Sequence, residues 1–198
     1  MGKLYKINLI YNISIVFFIL LMIYLSFLQY PTSFTIYRNQ ISHLGSPIEN
    51  PSGYKIFNAG IFIFGLLIIP MLYFLFRIYS NYMLITSKIA VLFGSISAFA
   101  LILLPFYPVE NWTIHWIIAE FIFIGFIGLA TSLCIIWLVK ISKKLSIGIN
   151  LIIFLLYISI YVIFMYLLVK LNTFSEWLFF ISILSEILLL SLFDYILF

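Results

Sequence analysis

YKIFNAGIFIFGLLIIPMLYFLF, residues 54–76, runs for 23 positions with a single charge, Lys55. A helix needs about 20 predominantly apolar residues to cross the hydrocarbon core of a bilayer, and this stretch supplies them. It shows no period-two alternation, so it reads as a helix and not as a barrel strand, because unpaired backbone groups are not tolerated in lipid. Outward from it, the same texture recurs at 7–28, 87–108, 114–139, 146–168 and 175–197. Six such runs nearly exhaust the 198 residues. The expected fold is therefore all-α: a polytopic membrane protein, a bundle of six transmembrane helices forming one domain over residues 1–198, in the cell membrane.

Composition points the same way. Hydrophobic residues make up 66% of the chain and charged residues 8%, with mean hydropathy +1.27. Soluble domains hold roughly 45–50% apolar and 25% charged residues, so a water-soluble fold would have no surface to show. The formal charge of +4 matters through its distribution along the chain and makes no case for nucleic-acid binding. The single Cys134 falls within an apolar run, which excludes an internal disulfide. Lys3 and Lys6 before an oily stretch are also how a signal peptide begins. The run exceeds the usual 7–15 residues of a signal core and no small-x-small cleavage pattern follows, so it reads as a retained anchor.

Orientation follows from the basic residues. With the N-terminus inside, cytoplasmic segments carry Lys3, Lys6, Arg77, Lys88, Lys140, Lys143 and Lys144, against Arg38, Lys55 and Lys170 outside. The excess places both termini in the cytoplasm. Two polar segments, 42–50 (SHLGSPIEN) and 105–115 (PFYPVENWTIH), then share the outer side. They hold both histidines, so their common side makes them one candidate site. Phe34, Tyr37, Ile41 and Leu44 recur at three- or four-residue spacing in the first outer loop and predict a short surface helix ended by Gly45-Ser46-Pro47. Small residues recur along two spans, Ser87, Gly94 and Ala98 in the third and Gly125, Gly128 and Ser132 in the fourth. These stripes predict close helix packing.

Acids within spans are costly toward lipid and so are expected to face the bundle interior. At 1.5 Å per residue, Glu120 lies about 12 Å and Glu186 about 16 Å below the outer surface. Both are expected to form the floor of an outward-facing polar pocket. Ser175 and Ser182 share the face of Glu186, and Asn58 shares a face with Gly65.

His43 and His115 with Glu49, Glu110 and Glu120 offer nitrogen and oxygen ligands of the kind zinc takes. No His-x-x-x-His or His-Glu-x-x-His occurs, however, and His115 and Glu120 are about 140° apart around a helix. Neither a metal nor another cofactor is expected. No strand-turn-helix elbow surrounds Ser42 or Ser46, so a nucleophilic triad is not indicated. Asn111-Trp112-Thr113 matches a glycosylation acceptor too close to the membrane to be used, and Asn50-Pro51-Ser52 is excluded by its proline.

Ser42-x-Leu44-Gly45, Asn58-x-Gly60, and Pro108-x-Glu110 followed by His115 resemble the six-helix membrane family catalogued as domain of unknown function 998. The resemblance covers nearly the whole chain. It implies a six-helix fold and a shared polar set of Ser42, Gly45, Asn58, Glu110 and His115, and no reaction. The Ser-x-Leu-Gly loop is also distantly similar to the outer loop of the DRAM and Frag-type membrane family.

Three classes of function are expected. The first is a protein that binds or moves a lipid headgroup or small polar ligand through Ser42, His43, Gly45, Asn58, Glu110, His115, Glu120 and Glu186, with Arg38 and Lys55 meeting a phosphate. The second is a membrane hydrolase acting on lipid, with Glu110 or His115 as general base. The third is an accessory subunit whose aromatic surface meets membrane-protein partners.

Overall fold

The computed structural model describes residues 2–141 and 173–197. The fifth predicted span, 146–168, lies outside the described residues, as do Lys143, Lys144 and Lys170. Among the described residues the regular structure is entirely helical: α1 (Gly2–Phe27), α2 (Tyr54–Tyr79), α3 (Leu84–Leu103), α4 (Trp112–Ile136) and α5 (Thr173–Leu197). A 3-10 turn, Leu104–Phe106, extends α3, and a π turn, Trp137–Ile141, extends α4.

Four helical stretches, Lys3–Phe27, Tyr54–Tyr79, Leu84–Phe106 and Trp112–Val139, are long and apolar enough to cross a membrane. Each helix is apolar on both sides. Ile19, Phe64 and Ile68 are buried, while Phe17, Tyr73, Ile85, Leu92 and Phe121 stand exposed on outward faces. Such a belt of exposed hydrophobics is untenable in water and matches hydrocarbon.

Packing runs in chain order from α1 to α4, and α5 packs back against α1. The edge-on pair Phe123–Phe179, with centroids 4.5 Å apart, brings α5 to α4. The α4 small-residue stripe lies at the α3–α4 seam, whereas the α3 stripe faces α2, Gly94 against Leu72 and Ala98 against Gly65. A Cβ at Gly125 would strike the Ser97 hydroxyl and the Phe93 backbone, and one at Gly128 would enter the Phe93 ring. Ser97 uses that closeness to donate to the Ile122 carbonyl at 2.8 Å. Pro70 sits within α2 without ending it, and the Tyr11 hydroxyl donates to the Leu67 carbonyl at 2.8 Å, one position beyond the acceptor that the proline leaves unpaired.

The first loop, residues 28–53, departs from the expected surface helix. Only Ile41–Gly45 is helical, as a 3-10 turn. Phe34 and Tyr37 are recruited elsewhere: Phe34 packs edge-on to Phe27, Tyr30 and Trp177, and Tyr37 stacks on Phe174. Thr173 donates to the Tyr37 carbonyl at 2.7 Å and Trp177 Nε1 to the Asn39 carbonyl at 2.9 Å. The aromatic spacing thus ties the loop to the start of α5 instead of laying it on a membrane surface.

Candidate functional site

The loop end of the bundle is assembled around a buried amide. Asn50 is fully buried, and its Nδ2 donates to the Leu44 carbonyl at 2.9 Å and to Ser26 Oγ at 3.0 Å, while its Oδ1 accepts from the Gly53 N–H at 3.1 Å. Ser26, at the end of α1, donates to the Gly53 carbonyl at 3.0 Å. A Cβ at Gly53 would lie 2.6 Å from both Asn50 Nδ2 and the Ser26 carbonyl, so only glycine fits the knot. Asn58, one turn into α2, donates to the Gly45 carbonyl at 3.1 Å, and a Cβ at Gly45 would meet Asn58 and Phe57.

A second tie joins the two polar segments. Glu110, exposed at the rim, accepts from the Ser46 hydroxyl and from the Ile48 N–H at 3.3 Å. His43 Nδ1 lies 3.0 Å from Glu49 Oε2, off the line of a good hydrogen bond but placed to pair with it when protonated. Tyr30 donates to the same Glu49 oxygen at 2.7 Å. Burial, helped by that carboxylate, pushes the Tyr30 hydroxyl up to about 12, so it remains a donor.

Beneath this cap lies a cavity of about 70 Å³ whose described lining includes Ser42, His115 and Glu176 as its polar residues, set against a wall containing Phe64, Phe126 and Phe180. His115 is buried in the first turn of α4, and its Nδ1 sits 2.7 Å from the Tyr107 carbonyl. A carbonyl only accepts, so Nδ1 carries a proton and donates, which in the neutral form of the ring leaves Nε2 as the acceptor. Glu176 accepts from the Ser42 hydroxyl and from the backbone N–H groups of Ile41 and Ser42. Its Oε2 is buried with no hydrogen-bond partner among the described residues. The polar end of the cavity therefore offers an open acceptor, Glu176 Oε2, with the His115 ring in the same lining.

Ser42, His115 and Glu176 are the residue types of a hydrolytic triad, yet the connections differ. In a triad the serine donates to histidine Nε2 and the acid accepts a hydrogen bond from Nδ1–H. Here Ser42 donates to the acid, and a backbone carbonyl accepts from Nδ1–H. The arrangement suits holding a hydrogen-bond donor.

The expected site residues divide accordingly. Ser42 and His115 line the cavity together. Gly45, Asn58, Glu110 and His43 form the cap around it, with Glu110 and His43 both within electrostatic reach of His115. Glu120 departs from the expected floor: it is exposed, while its neighbour Ala119 lines the cavity. The helix advances about 100° per residue, so the turn that buries His115, Ile118 and Ile122 carries Glu120 outward. Glu186 is not at the floor of this cavity either; it lines a separate one of about 20 Å³ with Asn12 and Ser191. Ten residues along α5 from Glu176, it lies about 15 Å further from the loop end. Ser182 lines neither cavity, and the side chain of Ser175 lies outside the described ones. Arg38 and Lys55 line neither, and Lys55 Nζ rests 5.9 Å from the Tyr54 ring centroid.

Sequence reasoning missed Glu176, Asn8 and Asn12. Glu176 carried a signal, an acid at the start of an apolar run on the same side as both polar segments. Asn8 and Asn12 carried one too, since i and i+4 place both amides on one helix face. Among the described residues no three His, Cys, Asp or Glu gather closely enough to hold a metal ion. No protein-family model, curated protein or solved structure matches the chain.

Proposed function

We propose that the chain is a six-helix protein of the cell membrane, with both termini in the cytoplasm, whose outward-facing cavity binds an amphiphile by a hydrogen-bond-donating headgroup. The observation that carries this is the bare, buried Glu176 Oε2 at the polar end of an aromatic cavity that His115 also lines. A buried acceptor without a partner is costly, and an amine or hydroxyl supplies what it lacks. The phenylalanine wall takes the first methylenes of the attached chain. A phosphate headgroup finds no Lys or Arg among the described lining residues and meets the Glu176 carboxylate instead.

The test is binding of dodecylamine, dodecanol and dodecanoate to the protein in nanodiscs, read by thermal shift. The expected order is amine, then alcohol, then carboxylate, with Glu176→Gln weakening the amine about 10- to 100-fold, the worth of a charge-assisted hydrogen bond. Equal shifts for all three, or the strongest shift with dodecanoate, overturn the reading.

A further inference from the structure

The inner half of the bundle contains a second polar cluster that the amphiphile reading does not use. Asn8 and Asn12 on α1 are buried to 0% and 1% exposure, and Ser191 on α5 to 1%. Asn12 Nδ2 is satisfied, donating to Ser191 Oγ and to Asn8 Oδ1 at 3.2 Å. Asn12 Oδ1 is not: it is buried without a partner among the described residues, as is Asn8 Nδ2. Asn12, Ser191 and Glu186 line the same small cavity, walled otherwise by Met71, Leu75, Leu129 and other apolar side chains. Asn12 is thus an almost completely buried amide with a bare oxygen, lining the same cavity as the Glu186 side chain.

We propose that this cavity is a binding site for one sodium ion, held by Asn12 Oδ1, the Glu186 carboxylate and Ser191 Oγ. The available donors are all oxygens, which suits a hard cation and not zinc or copper. Their single formal charge balances a monovalent ion and leaves a divalent one with an excess charge among apolar walls. A volume of about 20 Å³ admits one occupant of water or sodium size. A proton on Glu186 neutralises the carboxylate but leaves the Asn12 oxygen bare, because the two side chains share a cavity and no hydrogen bond joins them. An ion between them satisfies both. Phe126 and Ile183 wall both this cavity and the one above, so an occupant here presses on side chains that the upper site also uses.

The test uses the wild-type protein in nanodiscs, melted in increasing NaCl with choline chloride holding ionic strength constant, and again with KCl in place of NaCl. Sodium is expected to raise the melting temperature saturably by about 5 °C, with potassium and choline giving little. Glu186→Gln and Asn12→Leu abolish the sodium increment, and Glu176→Gln keeps it, which separates this site from the amphiphile cavity. Should the Glu186 variant fail to fold, the wild-type comparison of the three cations still decides. Equal melting in all three cations overturns the proposal. So does a stability that follows pH with no preference for sodium, which marks a protonated Glu186 with a water; Cys134 is the titratable group that faces Glu186 among the described residues. Retention of the sodium increment in Asn12→Leu overturns the assignment of that ligand and with it the site.

Discussion

The two polar regions of this bundle handle their hydrogen bonds in opposite ways. At the loop end, Asn50, Ser26 and Ser46 are fully buried and bonded through nearly every polar atom to backbone or to one another. In the inner half, Asn8 and Asn12 are as deeply buried, and each keeps one polar atom without a partner among the described residues. A saturated cluster holds chain segments together and has nothing left to offer a ligand. An open cluster holds less and retains the capacity to bind. The upper cavity combines the two, since Glu176 spends one oxygen on the loop and keeps the other open.

The largest expected effect breaks the saturated side. Asn50→Ala removes an amide serving the Leu44 carbonyl, Ser26 and the Gly53 N–H, leaving the Leu44 carbonyl its longer bond from Ser26 Oγ at 3.3 Å and the Gly53 N–H its bond to the Asn50 carbonyl at 3.1 Å. Stability should fall by about 3 kcal/mol, about 1 kcal/mol for each of the hydrogen bonds lost. Denaturation in mixed micelles measures it, and a loss below about 1 kcal/mol would mean the knot is not saturated as described.

Ser46→Ala probes the rim of the same side. It deletes the hydroxyl that donates to Glu110 and accepts from the Glu49 N–H at 2.9 Å. Glu110 is exposed, so water replaces part of what is lost, and the expected cost is about 1 kcal/mol. Amphiphile binding should weaken little, because the cavity-lining Ser42 is held separately by Glu176.

The inner cluster should respond less. In sodium-free buffer Asn12→Leu removes a bare buried oxygen but also takes the donor from Asn8 Oδ1 and Ser191 Oγ. The two effects oppose each other, so stability should change by no more than about 1 kcal/mol, against the cost of about 3 kcal/mol at Asn50. A large loss at Asn12 would show that its bonds to Asn8 and Ser191 outweigh its open oxygen.

These contrasts also mark what was legible in the sequence. Four membrane-length helices were, because an apolar run of that length admits one backbone solution; 54–76 was read within three residues of Tyr54–Tyr79. The polar loop segments were legible as a place, since polar groups are scarce in this chain. The roles of their residues were not. A carboxylate's depth follows from counting residues, but its direction needs the rotational phase of the helix. In α4 apolar residues surround the whole circumference, so hydropathy carries no phase; the Gly125, Gly128 and Ser132 stripe does mark a packed face, a signal that counting depth leaves out. That is why Glu120 was expected inside and stands outside, one position from the cavity-lining Ala119. Asn8 and Asn12 were passed over because uncharged amides scarcely disturb hydropathy, although their four-residue spacing was visible.

The smallest expected effect tests that outward face. Glu120 belongs to neither polar region: it lines no cavity and shares its side of α4 with the exposed Ile117, Phe121 and Ile124. On a helix of membrane length this face meets lipid, where a carboxylate adds cost and brings no bond. Glu120→Leu should therefore leave both amphiphile and sodium binding unchanged. It should raise stability by no more than about 0.5 kcal/mol, in the range of surface substitutions away from structural features. Thermal melting in nanodiscs reads the stability, and the two ligand titrations read the rest. A loss of stability would show that this face of α4 meets a cation or a hydrogen-bond donor on another chain. In that case the molecule has a third polar region, which is completed only on assembly.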